Sequence, residues 1–551
     1  MRTEYTVVNS PQFPAPGGSI TKVLKTTKNL PHHISEYSIL QKDGMRYVYG
    51  LPAYNTSQMD ATFSVENGSG SSCSPLPNQG DFNTSFVGVP NDGTFITPEP
   101  ERPELETSPY PEFLSQTELP AYVHSWLLTA VVSADYVDLL NDGPTDDDYG
   151  YWVKFNYEKE SSNYKWRVPY QDAMFSEGNK SDPTDDKGSF TYGEKDLYYL
   201  TSIESKTHIA LFELSAREDA NEATGKFMSC SDIPGGGEKM QKLDKIKLYT
   251  KKDYISCVPD QTDPSIIHNA INVNAIPIKV VNFKYSYALC PNVPNNSGAV
   301  VNETINGNTV DINANQGKLT LRKLFFTYQN STRGEFSPYV FKYVSDANAD
   351  ANGIPLANTA ENPNYNNRDI DRWGNYKPNS ITYQHTPGDG NEYPYVDFPY
   401  TEQIDYDKNS ATYLRNKIPT VAVWSLKEID LPSGGTIHVN YESDEYGYVE
   451  SKRATTMFDI VGIDHYQLNG EKRSDYSVRG NFRTPPNPYK IYFKLDSLTK
   501  TDIPDSYINT NYINGLDSIY FKVESNIANG NRDYVSGYAE IDPLGCGLER
   551  D

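Results

Sequence analysis

Two half-phrases recur five times in the alternation of apolar and polar positions along this chain. The first has the form Leu-x-x-Ile and opens a strand-like stretch, at Leu128–Val131, Leu200–Ile203, Leu243–Ile246, Leu321–Leu324 and Leu426–Ile429. The second has the form Phe-x-Tyr and closes one, at Phe155–Tyr157, Phe212–Leu214, Phe283–Tyr285, Phe341–Tyr343 and Val439–Tyr441. Period-2 alternation of β-branched, aromatic and charged residues marks strands with one packed and one wetted face, so each opening and close predicts a two-stranded ribbon. A lone ribbon cannot bury its face, whereas several side by side can. The pattern therefore predicts an all-β fold of irregular antiparallel ribbon repeats in a curved or spiralling sheet, with long loops and a C-terminal β domain. Successive openings lie between 43 residues (Leu200 to Leu243) and 105 residues (Leu321 to Leu426) apart. That irregularity argues against a fixed-period solenoid or propeller.

Turn signals divide the chain further. Residues 1–66 form an N-terminal hairpin region, in which Asp43-Gly44 between Ser38–Lys42 and Met45–Gly50 predicts a type I′ turn with positive φ at both central residues. Residues 67–118 are polar and Pro-rich, with Pro98-Glu-Pro-Glu-Arg-Pro-Glu104 in the middle, and read as an extended linker. Residues 119–344 carry the first four ribbons. Residues 345–418, rich in Asn and Asp, read as a loop insertion rather than core. Residues 419–551 hold the fifth ribbon, turning at Leu431–Gly435, and a C-terminal β domain. The closes Phe155, Phe283 and Phe341 are expected to share one buried aromatic strip.

Charge and composition narrow the function. With 49 Lys plus Arg against 73 Asp plus Glu, the formal net charge is −24, which repels phosphate backbones and anionic bilayers and speaks against nucleic-acid partners. No apolar run is long enough to span a bilayer and no signal-peptide pattern opens the chain, so membrane insertion is not expected. An acidic, Asn- and Tyr-rich composition is common in secreted bacterial β-proteins, and a secreted or cell-surface location follows as an expectation. The five cysteines, Cys73, Cys230, Cys257, Cys290 and Cys546, contain no Cys-x-x-Cys pair. They read as isolated thiols, with a single Cys230–Cys257 or Cys257–Cys290 bridge as the alternative.

No hydrolase elbow, zincin, Walker or dinucleotide motif is present, and no catalytic residue is assigned. The adjacent His32 and His33 point to opposite faces of a strand and receive no role. One stretch suits ion chemistry. Asp138, Asn141, Asp142, Asp146 and Asp148 crowd oxygen donors around Gly143, as a hard cation such as Ca²⁺ requires, although the spacing is not that of an EF-hand. Trp152, Trp166, Trp373 and Trp424 are weighed as sugar-stacking platforms against cross-strand packing, and packing is favoured.

The phrase Ile39-Leu-Gln-Lys-Asp-Gly-Met-Arg-Tyr-Val-Tyr-Gly50 resembles the hairpin at the front of Rhs/YD-repeat shell proteins and of the related B component of insecticidal toxin complexes. The recurring ribbons are similar to that family's units, and Asp371-Arg-Trp-Gly-Asn375 looks like the core of a YD repeat, although Ile370 stands where the family has Tyr. The resemblance spans residues 34–445 and implies a fragment of a longer shell or a divergent Bacteroidota-type relative. No protease-like end with catalytic aspartates is matched. The implied function is a non-catalytic scaffold that encloses or presents another polypeptide, either a cargo or a neighbouring shell component. The alternative is an extracellular binding module or adhesin, glycan-binding, with loops stiffened by Ca²⁺.

Overall fold

The protein is all-β. The structure, a computed structural model, describes most of residues 34–64, 114–350 and 422–441, with shorter stretches at 5–10, 20–25, 354–376 and beyond 447. Fourteen strands form one antiparallel sheet. In chain order they are β1 (Tyr37–Leu40), β2 (Arg46–Ser64), β3 (Leu114–Leu119), β4 (Tyr122–Val132), β5 (Trp152–Val168), β6 (Met174–Ser176) and β7 (Lys187–Ser205), then β8 (His208–Asn221), β9 (Lys239–Thr250), β10 (Lys279–Leu289), β11 (Lys318–Thr327), β12 (Tyr339–Tyr343), β13 (Leu426–Asp430) and β14 (Thr436–His438). Their spatial order is β14-β13-β12-β11-β10-β9-β8-β7-β5-β4-β2-β1, with β3 on β2 and β6 on β7. The openings lie on β4, β7, β9, β11 and β13 and the first four closes on β5, β8, β10 and β12, with the fifth directly after β14. The five ribbons are therefore neighbours in one sheet.

The spacing of the two half-phrases has a physical meaning. In a regular strand, residues three apart face opposite sides, so Leu and Ile of Leu-x-x-Ile cannot both pack on one face. The ladder solves this with a β-bulge, in which two residues of one strand oppose one of its partner. Phe155 pairs with Ile203, but Tyr157 pairs with Leu200, leaving Thr201 unopposed. The same step recurs at Phe212↔Ile246 and Leu214↔Leu243, at Phe283↔Leu324 and Tyr285↔Leu321, and at Phe341↔Ile429 and Tyr343↔Leu426. It also occurs at the front of the sheet, where Tyr47 pairs with Val131 and Tyr49 with Leu128. Thr129, Thr201, Asp244, Arg322 and Lys427 are thus the second residue of five openings and the extra residue of five bulges.

Within a ribbon the ladder is fixed by a side chain. Tyr157, Tyr285, Tyr343 and Tyr441 donate their hydroxyls to the carbonyls of Leu128, Leu243, Leu321 and Leu426 at 3.0, 2.7, 2.9 and 2.8 Å. Leu214, the one close without a hydroxyl, cannot. Burial raises the phenols of Tyr157, Tyr285 and Tyr343, that of Tyr285 to about 12.

The densest packing lies elsewhere than the sequence predicts. Strand β2 pairs with β4 and, past its bend, with β7. Since β4 pairs with β5 and β5 with β7, the four strands close a circuit. The buried residues Met59, Ala61, Phe63, Ala173, Phe190 and Tyr192 form one core, and Ala130, Val132 and Trp152 another. Phe155, Phe283 and Phe341 are only half-buried, so no fully buried aromatic strip forms. Beyond the circuit, Ile209 and Leu211 of β8 and Tyr249 of β9 form a third core with Tyr254, against which Ile255 and Ile271 pack.

Other expectations change in detail. The β1–β2 turn is a three-residue loop, with Gln41 N–H donating to Met45 O and Gly44 N–H to Gln41 O. Gly44 has φ +85°, while Asp43 is not in the left-handed region. The turn is therefore not type I′, and Asp43 instead accepts the Met45 N–H. The β13–β14 loop repeats this geometry at Leu431–Gly435, with Gly434 at φ +85°. Strand β3 begins at Leu114, inside the stretch read as linker. Cys290 is a free, buried thiol, which removes the Cys257–Cys290 bridge. Asn362, in the stretch read as a loop insertion, is fully buried. In the C-terminal part Ile460–Asp464 pairs with Lys490–Phe493, and Ser518–Asn526 with Arg532–Glu540.

Candidate functional site

The acidic loop joins β4 to β5 and is built from its own backbone. Asp138 accepts the Asp142 N–H at 3.3 Å and the Gly143 N–H at 3.0 Å, closing a turn in which Asn141 and Gly143 have φ +57° and +83°. Asp148 is turned inward and 2% exposed. It accepts from Leu139 N–H (3.0 Å), Thr145 N–H (2.9 Å) and the Tyr136 hydroxyl (2.9 Å). Burial alone would raise the Asp148 carboxyl, but these donors outweigh it and hold the group below its ordinary value. Asp146 pairs with Lys251 at 2.7 Å, and Lys251 also pairs with Glu204. The Lys154 ammonium caps the Pro144 carbonyl at 3.2 Å.

Of the five residues named from the sequence, Asp138, Asp146 and Asp148 thus each bind a different set of donors, with Asn141 and Asp142 in the turn after Asp138. Among the described residues, no group of three or more His, Cys, Asp and Glu is placed to hold a metal ion.

A second feature is an open groove of about 610 Å³ on the sheet across β7 to β10. One wall comes from the hairpin Asn302–Ile305/Asn308–Asp311 through Glu303. Its floor carries Phe212, Phe283 and Tyr285 beside the bulge residues Thr201 and Asp244. The rings of Phe283 and Tyr285 lie 6.4 Å apart at 18°. Charges of both signs alternate along it. Lys284 pairs with Glu303 at 3.3 Å, Lys247 pairs with Glu213, and Lys242 pairs with Asp244. Burial, and then the neighbouring Glu160, raises the Glu158 carboxyl at its margin. Such a floor offers half-buried aromatic surface without a field of one sign, which suits an uncharged or mixed-charge chain better than a polyanion.

Polar residues that periodicity does not reveal hold the open end of the sheet. Asn296 and Asn313 exchange side-chain bonds at 2.8 and 3.0 Å. Asn362 donates to the Ala288 and Leu356 carbonyls and accepts from the Cys290 N–H and the Trp424 indole. Asp219 is buried against Arg217 at 2.9 Å and takes the Leu319 N–H. These groups satisfy backbone that the ladder leaves unpaired, in the loops and at the irregular ends of β10 and β11, which is where buried polar side chains are needed. Trp152 packs in the core under Lys251, and Trp166 lies against Gly193, both as packing residues. Trp373, Asp371, His32 and His33 lie outside the described residues.

No family model, curated protein or solved structure matches the chain.

Proposed function

We propose that the chain is a non-catalytic β-ribbon scaffold that encloses or presents another polypeptide, as its resemblance to Rhs and toxin-complex shells implies. One observation carries this reading: four junctions between consecutive ribbons, and a fifth between the front strand β2 and the first ribbon, share the same bulged register. A bulge bends its strand and increases local right-handed twist, so the same bulge at each step curves the sheet repeatedly in one sense and favours a spiralling sheet with a concave face. A sheet that grows by one rule can wrap a volume without a catalytic site of its own. The partner is a cargo polypeptide or a neighbouring shell component, and the setting is secreted or cell-surface. Among the described residues no helix is long and apolar enough to cross a membrane.

Electron cryomicroscopy of the chain co-produced with the proteins encoded beside its gene tests this. The expected result is a sheet wrapped around a volume that contains density for a second polypeptide. A solid sandwich with no enclosed space ends the proposal.

The groove supports a second reading, an extracellular glycan-binding module, because Phe283 and Tyr285 present nearly parallel rings at its floor. Glycan-array binding that is lost in Tyr285→Ala would favour it.

A further inference from the structure

The five ribbons end in a close that has only half of its partners. Each inner close pairs on one side with its own opening and on the other, through a bulge, with the opening of the next ribbon. Val439-Asn-Tyr441 has the first of these: Tyr441 donates to Leu426 O at 2.8 Å and Val439 N–H to Lys427 O at 2.9 Å. On its outer side β14 carries no strand among the described residues. Ile437 and Tyr441 are 47% and 45% exposed there, an unpaired edge of the kind that proteins cover or blunt.

The next stretch of the chain with the opening pattern is Ile460-Val-Gly-Ile463. It forms a hairpin with Lys490–Phe493 in which Ile463 pairs with Ile491, two residues before Phe493. In all five ribbons the fourth residue of the opening likewise pairs two residues before the first residue of the close: Val131↔Val153, Ile203↔Ala210, Ile246↔Val281, Leu324↔Tyr339 and Ile429↔Ile437. The continuation Phe493-Lys-Leu495 also has the form of the second close, Phe212-Glu-Leu214. Moreover, the hairpin ladder passes from Gly462↔Tyr492 to Ile460↔Phe493 and skips Val461. Val461 is the second residue of its opening, the residue that in the other five openings is the extra one in the ladder with the preceding strand, although here the skip lies within its own hairpin.

We propose that the free edge of β14 receives Ile460–Ile463 of the same chain, with Val439 opposite Ile463, Tyr441 opposite Ile460 and Val461 as the extra residue, so that this hairpin continues the large sheet as a sixth ribbon. The sheet itself supplies the reason, since it covers this kind of edge five times with this kind of strand. This continuation of the sheet does not depend on a bound cargo.

Paired cysteines test it. Val439→Cys with Ile463→Cys is compared with the control Phe341→Cys with Ile429→Cys, which occupies the same register within the sheet. Linkage is read by mass spectrometry of the joined peptides after mild oxidation. Both pairs should link within single chains to similar extents. A control that links while the test pair does not, or a test pair that links only between two chains, overturns the proposal, the latter in favour of a second copy at the edge. Hydrogen exchange of the unmodified protein gives an independent answer. Because Val439 N–H points inward to β13, the Asn440 N–H points outward. Protection of that amide is expected, and exchange at the rate of an open edge overturns the proposal whatever the cysteines do.

Discussion

Tyr343 donates its hydroxyl to the carbonyl oxygen of Leu321 at 2.9 Å, tying the end of one ribbon's close to the first residue of its opening. Since Leu321 also faces Tyr285 across the neighbouring bulge, this residue is held from both sides. Removing only the hydroxyl by Tyr343→Phe should cost about 1 kcal/mol, the net worth of one such bond. Urea unfolding of this variant and of Tyr285→Phe should show similar losses. An unchanged midpoint in both would mean that the bond adds nothing to the ladder.

The two outer hairpins turn on glycines of the same conformation with different surroundings. Gly44 and Gly434 both have φ +85°, where a side chain costs about 1–2 kcal/mol. A Cβ at Gly44 would also meet the Ala134 Cβ at 2.8 Å, whereas one at Gly434 meets nothing within 4 Å. Gly44→Ala is therefore expected to destabilise more than Gly434→Ala in the same assay. Equal losses would show that backbone strain alone acts at both.

Inside the closed circuit of β2, β4, β5 and β7, Lys159 and Asp196 pair at 2.8 Å with side-chain exposures of 13% and 1%. Asp196 also accepts the Tyr54 N–H at 3.4 Å. Asp196→Ala leaves an ammonium with its main countercharge removed and should cost about 3–5 kcal/mol. The double variant Lys159→Met/Asp196→Leu should recover much of that, because it removes both desolvation penalties. Thermal melts of the three proteins decide the matter, and a double variant no better than the single one would contradict it.

In the acidic loop the weight falls on Asp148. Its carboxyl is held below the ordinary value in the folded protein, so the folded state binds fewer protons than the unfolded chain near that value. Stability from this group is present above the unfolded value and lost as pH falls through the folded one. Asp148→Ala should lower the melting point at neutral pH and flatten the acid limb of the stability profile. With Asp146 on Lys251 and Asp138 on backbone amides, melts in millimolar CaCl₂ and in EDTA are expected to coincide. A higher midpoint in CaCl₂ would show that the cation displaces these partners.

How far the sequence could be read follows from what each signal encodes. Periodicity identified the five openings and closes because alternation is local. Their spacings, three in Leu-x-x-Ile and two in Phe-x-Tyr, already hold the bulge, yet that is visible only once the two half-phrases of different ribbons lie opposite each other. Asp148 and Asp138 look alike in sequence, and only the fold turns one inward and leaves the other to close a turn. Asn362 sits in a segment of low hydropathy and was legible only as loop. Its burial depends on Cys290, Ala288 and Trp424, all remote in the chain. The closed circuit arises from the bend in β2 and the length of β7, for which the sequence has no short-range mark.

The bulged junction is tested most directly by two cysteine pairs that differ by one residue. From Phe155↔Ile203 and Asn156↔Ser202, a regular ladder would place Tyr157 opposite Thr201, whereas the bulge places it opposite Leu200. Tyr157→Cys with Leu200→Cys should form a disulfide on mild oxidation more readily than Tyr157→Cys with Thr201→Cys, because the Cβ atoms of a bridge must lie within about 4.5 Å and the directly paired residue meets this best. Linkage of the Thr201 pair in preference to the Leu200 pair would mean that the ribbons join in a regular ladder and that the repeated bulge does not exist.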